Sequence, residues 1–169
     1  MSVRATVSIR IAQPKDLTAI VHIYNLAIKR RGSTSDLTPL TVEDRRAWFD
    51  NHIAAELPVW VGTIGEEVVA WCSISAYFPG RKGLVQTREI SFYVHEDHQR
   101  QGIGEQMVRH AIESGESLGI KTLFAILLDQ NHGSVALLEK MGFRRWGHLP
   151  GVSLIDGEEF GHYYYGRRI

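Results

Sequence analysis

The sequence predicts a mixed α/β fold, a central sheet with helices on both of its faces. Three observations carry that prediction. Short runs with strand-like alternation are interleaved with longer runs at helical spacing. Thr122 to Leu128 is a near-continuous apolar run, the pattern of a strand covered on both sides. Glu89 to Ile112 reads as a strand that feeds through a glycine turn into a helix. At 169 residues, 44% of them hydrophobic, the chain can close one sizeable core, so residues 1–169 are expected to form a single domain.

Taken in order, Val7, Ile9 and Ile11 alternate with Ser8 and Arg10 as a first strand that ends before Gln13 and Pro14. A helix follows, with Asp16 as its expected cap and Leu17, Ile20, Val21, Ile23, Tyr24 and Ala27 on its apolar face. Ser33 to Pro39 is a polar loop. Thr41 with Asp44 three residues on forms a capping box for a second helix, in which Trp48, Phe49 and Ile53 are expected to pack inward. Val59 to Ile64 and Val68 to Ala76 make a hairpin around Gly65-Glu66. The basic loop Pro79 to Gly83 leads into the strand Glu89 to His95, where Ile90, Phe92 and Val94 alternate with Ser91 and Tyr93. The next helix runs to about Leu118 with Gly119 as its stop signal. After the covered strand come the polar turn Asp129 to Gly133, a short helix from Ser134 to Met141, a strand from Gly142 toward His148, and a tyrosine-rich closing strand from Phe160 to Arg168.

Charge and composition exclude several classes of function. The 19 basic and 19 acidic side chains cancel, so no long-range field draws nucleic acid or an anionic membrane. The single cysteine, Cys72, excludes an internal disulfide framework, and its apolar surroundings mark it as an inert core residue. Met1 to Arg10 has no continuous apolar core of the signal-peptide kind, and no stretch approaches the ~20 apolar residues of a membrane span. The reading is a soluble, cytoplasmic protein. His95 and His98 stand three apart, yet no set of Cys, His or carboxylate residues has metal-ligand spacing, so no metal is expected. Trp48, Trp60, Trp71 and Trp146 read as core or interface aromatics, and only part of Tyr163, Tyr164 and Tyr165 can line one site, because neighbours on a strand alternate faces.

The chemistry concentrates at the glycine turn. Gln99, Gly102 and Gly104 place a Gln-x-x-Gly-x-Gly turn where a strand meets a helix N-terminus, with Ile103, Met107, Val108, Ala111 and Ile112 following at helical spacing. Such a terminus offers unpaired N–H groups and the positive end of the helix dipole, and glycine lets a phosphate approach the main chain.

Two segments carry a resemblance. Gln99-Arg100-Gln101-Gly102-Ile103-Gly104 resembles the pyrophosphate motif of GNAT-family N-acetyltransferases, and Asn131 to Phe143 resembles that family's later cofactor segment, in the same order and spacing. Ile23-Tyr24-Asn25, Ala47-Trp48-Phe49-Asp50, and Glu89 with Tyr93-Val94 are similar to the phosphinothricin and methionine sulfoximine acetyltransferase branch. The likeness covers essentially the whole chain.

The resemblance implies a GNAT-like fold with a mixed sheet of about seven strands and a splay between the fourth and fifth. It implies acetyl-CoA as co-substrate, with its pantetheine arm against Phe92, Tyr93 and Val94 and its pyrophosphate on the amides of Arg100, Gln101, Gly102, Ile103, Gly104 and Glu105. Arg100 would add a charged contact. Asn131 would touch the cofactor arm beside Ser134. Glu89 would serve as base for the attacking amine, and a strand amide such as that of Val94 would hold the oxyanion. The acceptor would be a small amino-acid-like primary amine, and the branch implies a homodimer. Alternatives are a peptide N-terminus or polyamine as acceptor, or a CoA-binding regulatory module without catalysis.

The sequence also departs from the family pattern. Leu138 stands where many members carry the tyrosine that protonates the leaving thiolate, leaving water, Tyr93, a closing tyrosine or direct thiolate departure as alternatives, with no acid assigned. Phe78 and Val85 stand where the branch carries carboxylate-binding arginines, with Arg81, Lys82 and Arg88 nearby. The loop Gly32 to Thr38 lacks the aromatic and acidic pattern of the herbicide-resistance enzymes.

Overall fold

The computed structural model describes residues 4–169, so the first three positions of the amino-terminal stretch read above lie outside the described residues. The strands are β1 (Ser8–Ile11), β2 (Val59–Ile64), β3 (Glu67–Ala76), β4 (Thr87–Val94), β5 (Thr122–Leu128), β6 (Arg144–Ile155) and β7 (Glu158–Arg168). The helices are α1 (Leu17–Arg30), α2 (Val42–Ala54), α3 (Ile103–Ser114) and α4 (His132–Lys140). The seven strands form one sheet in the order β1-β2-β3-β4-β5-β7-β6, antiparallel throughout except for the parallel β4–β5 pair.

Two cores lie on opposite faces. On one, α1 and α2 bury Leu17, Ile20, Ile23, Ile28 and Phe49 against Val61 and Trp71 of the sheet. On the other, Ile103, Met107 and Val108 of α3 and Leu138 of α4 pack on Cys72, Ile74, Ile90 and Leu123. Alternation along the strands sends Trp71 to the first face and Cys72 to the second. Cys72 is fully buried, and burial pushes its thiol pKa far up, so it stays protonated.

The capping box on α2 is present: the Thr41 hydroxyl accepts from the Asp44 amide at 3.1 Å, and Asp44 accepts from the Thr41 amide at 2.8 Å. Phe49 is buried and Trp48 partly so, but Ile53 points to solvent at 57% exposure, a correction to the expected inward set. Asp16 is buried too, but its side chain does not cap α1; it caps the single turn Pro14–Asp16 ahead of that helix. Its carboxylate accepts instead from both Nη atoms of Arg10, at 2.7 and 2.9 Å, and from the Gln13 amide at 2.7 Å, tying β1 to the start of α1.

That pair makes a prediction. Asp16→Asn should lower unfolding stability by about 1–2 kcal/mol, since it turns a charge-assisted bond into a neutral one at a partly exposed arginine. Urea titration measures it. Arg10 holds the Asp16 carboxyl below its usual range. The contribution is therefore fully present above the unfolded carboxylate pKa and is lost as pH falls through the folded one.

The carboxyl-terminal hairpin is longer than the sequence suggests. β6 extends through Leu149, Pro150 and Gly151 to Ile155, absorbing them in register shifts between Arg145 and Gly147 and between Leu149 and Ser153. As the outermost strand it can carry proline and bulges that a central strand cannot. Regular helix in α3 stops at Ser114, and a further turn continues to Leu118 before the Ile120 amide closes on the Gly115 carbonyl at 2.9 Å.

Candidate active site

The parallel β4–β5 ladder is short. It joins Thr87, Arg88 and Glu89 to Thr122, Leu123 and Phe124 and then stops, although both strands continue. Beyond that point β4 stays paired with β3 and β5 with β7, so the two inner edges diverge and leave a cleft of about 380 Å³. Its walls are Ile90 to Val94 on one side and Ala125 to Leu127 on the other, and it reaches the glycine turn and the start of α4.

Register decides which groups face the cleft. The His95 amide donates to the Val69 carbonyl at 2.8 Å, so the opposed pairs His95/Val69, Tyr93/Trp71 and Ser91/Ser73 turn their backbone groups toward β3. Ile90, Phe92 and Val94 therefore turn theirs toward the cleft. Tyr93, expected to join them, offers its side chain instead, which packs with Tyr24 and Trp71 on the α1/α2 face.

The turn after β4 builds the other end. Gly102 sits at φ +80, a left-handed conformation that favours glycine, and precedes α3 directly. The first helical bond there is Gln106 N–H to Gly102 O at 3.3 Å, so the amides of Ile103, Gly104 and Glu105 stand ahead of the ladder. A Cβ on Gly104 would meet Leu137 Cδ2 at 3.1 Å and Val94 Cγ2 at 3.7 Å, and all three residues line the cleft. Arg30, Arg100 and Lys140 supply positive charge around it.

Most of the residues expected at the site come together here. Phe92, Tyr93, Val94, Arg100, Gly102, Gly104, Glu105, Asn131 and Ser134 line the cleft. Gln101 lies outside the lining, its side chain donating to the Asp97 carbonyl at 3.1 Å, and the Ile103 side chain is buried in the core. The Asn131 side chain accepts from the Ser134 amide at 3.2 Å and so caps α4. The Glu105 carboxylate faces cations: Lys140 at 2.7 Å, Arg109 at 2.8 Å and Arg4 at 3.1 Å hold its pKa down at about 2. It stays ionised and locks α4 against α3.

Glu89 closes the paired part of β4, immediately before the splay. It is half-buried with no side-chain hydrogen bond or ion pair among the described residues, and burial pushes its carboxyl pKa up. Its cross-strand neighbour is Ser75. His52 Nδ1 lies 2.8 Å from the Trp48 carbonyl, which can only accept, so a neutral ring leaves Nε2 to accept from the Ser75 hydroxyl at 3.0 Å. Burial favours that neutral form by lowering the His52 pKa. Leu138 is fully buried and brings no proton donor.

Sequence reasoning missed His52 and Arg45. Both sit on α2 in stretches that read as ordinary helix surface, and only the packing of α2 over β3 brings them near β4. Among the described residues no group of three or more His, Cys, Asp or Glu side chains is arranged to hold a metal ion, and no helix is long and apolar enough to cross a membrane.

The splayed parallel pair opens onto a glycine-bearing helix N-terminus, the arrangement that the resemblance implies for an acyl-CoA-dependent transferase. The acetyltransferase (GNAT) family model matches residues 20–143, and the chain belongs to that family. It is 35% identical over 163 residues to YwnH of Bacillus subtilis, a candidate phosphinothricin acetyltransferase, covering 96% of this chain and 99% of that one. It is 31% identical to the L-methionine sulfoximine/L-methionine sulfone acetyltransferase of Pseudomonas aeruginosa, covering 92% of this chain and 88% of that one. Among solved structures, yncA of Salmonella typhimurium with its cofactor acetyl-CoA superposes with a TM-score of 0.90 at 25% identity, covering 97% of this chain and 94% of that one.

Proposed function

We propose that this enzyme moves the acetyl group of acetyl-CoA to the primary amine of a small amino-acid-like acceptor. One observation carries the reading: the β4–β5 ladder ends at Glu89 and Phe124, and the cleft that opens at the next residue, Ile90, runs to a glycine-lined helix N-terminus, which leaves the half-buried, unpaired Glu89 carboxylate at its closed end, just outside the lining. The amides of Ile103 to Glu105 take the pyrophosphate, and the cleft-facing edge of Ile90, Phe92 and Val94 takes the pantetheine arm. Glu89, directly or through water, removes a proton from the ammonium. The amine attacks the thioester carbon, the oxyanion is met by the Val94 amide, the C–S bond breaks, and the second proton of the nitrogen passes to water as the thiolate takes one from water. Relatives named for phosphinothricin and methionine sulfoximine support an amino-acid-like acceptor.

The experiment is thiol release from acetyl-CoA with amino acids, amino-acid analogues, polyamines and peptides as acceptors. Release confined to amino acids and analogues supports the proposal. Tight acetyl-CoA binding with no release on any acceptor would favour a regulatory module instead.

A pH profile adds a further prediction. Glu89 acts only when ionised, and burial raises its pKa, so the acid limb of kcat/KM should lie above the ordinary carboxylate range. The same shift has a stability sign: its contribution is present below the unfolded carboxylate pKa and is lost as pH rises through the folded one. A limb at ordinary carboxylate pH would count against Glu89 as base.

The site residues act within one domain that spans the chain. The assembly we propose is a cytoplasmic homodimer joined through the β6 edge, where Trp146, Val152 and Leu154 are each more than half exposed. Sedimentation at micromolar concentration tests it, with a dimer expected and a monomer contradicting it.

A further inference from the structure

Arg45 stands on α2 in a setting of aromatic rings. Its guanidinium carbon lies 4.1 Å from the Trp48 ring centroid, 4.9 Å from that of Tyr24 and 6.0 Å from that of Trp71. The group makes no hydrogen bond or ion pair with any described residue, and its Nε is closed off from solvent without an acceptor. A guanidinium so placed has one N–H shut away from water without an acceptor and no anion paired to it, an arrangement that an incoming carboxylate would relieve. Asp36, the acid whose field reaches it, already accepts from the Tyr24 hydroxyl at 2.5 Å.

The same rings connect Arg45 to the cleft. Tyr93 stacks on Trp71 at 4.8 Å between centroids and meets Tyr24 edge-on at 5.0 Å. Tyr93, Ser91 and Glu89 project from one face of β4, and Ser91 and Tyr93 line the cleft. Tyr93 lies about 13 Å along the strand from Glu89, at a rise of roughly 3.3 Å per residue. An amine placed near Ser91 would thus lie along β4 between Glu89 and the aromatic cluster that holds Arg45. No arginine stands at Phe78 or Val85, and both of those side chains are exposed.

We propose that Arg45 binds the carboxylate of the acceptor and so selects carboxylate-bearing primary amines. The planar fork, stacked by Trp48 and Tyr24, is held ready for a bidentate contact. This role rests on the N-acetyltransferase reading above.

The test compares steady-state kinetics on methionine sulfone and on its carboxamide, which differ only in the anion. The wild-type protein should prefer the acid. Arg45→Gln should raise KM for the acid by about tenfold to a hundredfold, with little change in kcat and none in KM for the carboxamide. Arg45→Lys, which keeps the charge and much of the stem, should recover part of the loss and carries the test if the Gln variant fails to fold. Melting temperature and acetyl-CoA affinity are measured for each variant. An equal KM change on both acceptors, at unchanged acetyl-CoA affinity, would show a purely structural arginine and overturn this role alone. No turnover of either acceptor by the wild type would overturn the proposed acceptor class and this role together.

Discussion

Glu89→Gln is expected to lower kcat for acetyl transfer by about a hundredfold to ten-thousandfold while leaving acetyl-CoA affinity unchanged. The substitution keeps shape and volume but removes the site that takes the proton. An amine of high pKa is almost wholly protonated at neutral pH, so without a base only the rare free amine can attack. Glu89 suits the task because it is half-buried and holds no ion pair, so nothing pins it in its charged form or competes for its lone pairs. It also lies at the last pair of the β4–β5 ladder, one residue before the splay begins. Stopped-flow thiol release alongside calorimetric acetyl-CoA binding separates chemistry from affinity. Turnover unaffected by the substitution would remove Glu89 from the mechanism.

The second large effect concerns the other end of the cleft. Gly104→Val should raise the dissociation constant of acetyl-CoA by about a hundredfold, as expected when two charge-assisted hydrogen bonds to phosphate are lost. Gly104 is better suited to this test than Gly102, whose φ of +80 would strain any side chain whatever the space. At Gly104 the first added atom already lies 3.1 Å from Leu137 Cδ2, so the branched side chain must project along the cleft floor, where phosphate would approach the amides. Gly104→Ala should have a smaller effect, because the Leu137 methyl can give way. Unchanged affinity in the Val variant would place the pyrophosphate elsewhere.

Much of this arrangement is written locally. The strand, glycine turn and helix from Thr87 to Ser114 follow from alternation, a turn signal and helical spacing, each a property of neighbouring residues. The capping box at Thr41 and Asp44 and the covered strand β5 are local in the same sense. What escaped the sequence depends on distant partners. Asp16 has the spacing of a cap but gives its carboxylate to Arg10, because the end of β1 brings a guanidinium within reach. Pro150 and Gly151 lie beyond the strand expected from Gly142 toward His148, yet at the sheet edge they are tolerated within β6. Arg45 lies in Glu43-Asp44-Arg45-Arg46, a run that looks like a solvated helix face until Tyr24, Trp48 and Trp71 are seen around it. Tyr93 reads as part of the cofactor edge, but hydrogen-bond register, invisible in sequence, turns its backbone toward β3.

The central claim is that the cleft between β4 and β5 brings an acetyl thioester to an acceptor amine beside Glu89. Mass spectrometry of methionine sulfone after incubation with acetyl-CoA and the protein tests it most directly. The account predicts one acetyl group on the α-nitrogen, formed in step with free thiol and largely absent with Glu89→Gln. Thiol released without an acetylated amine, or an acetylated amine formed equally well by the Glu89→Gln protein, would contradict it.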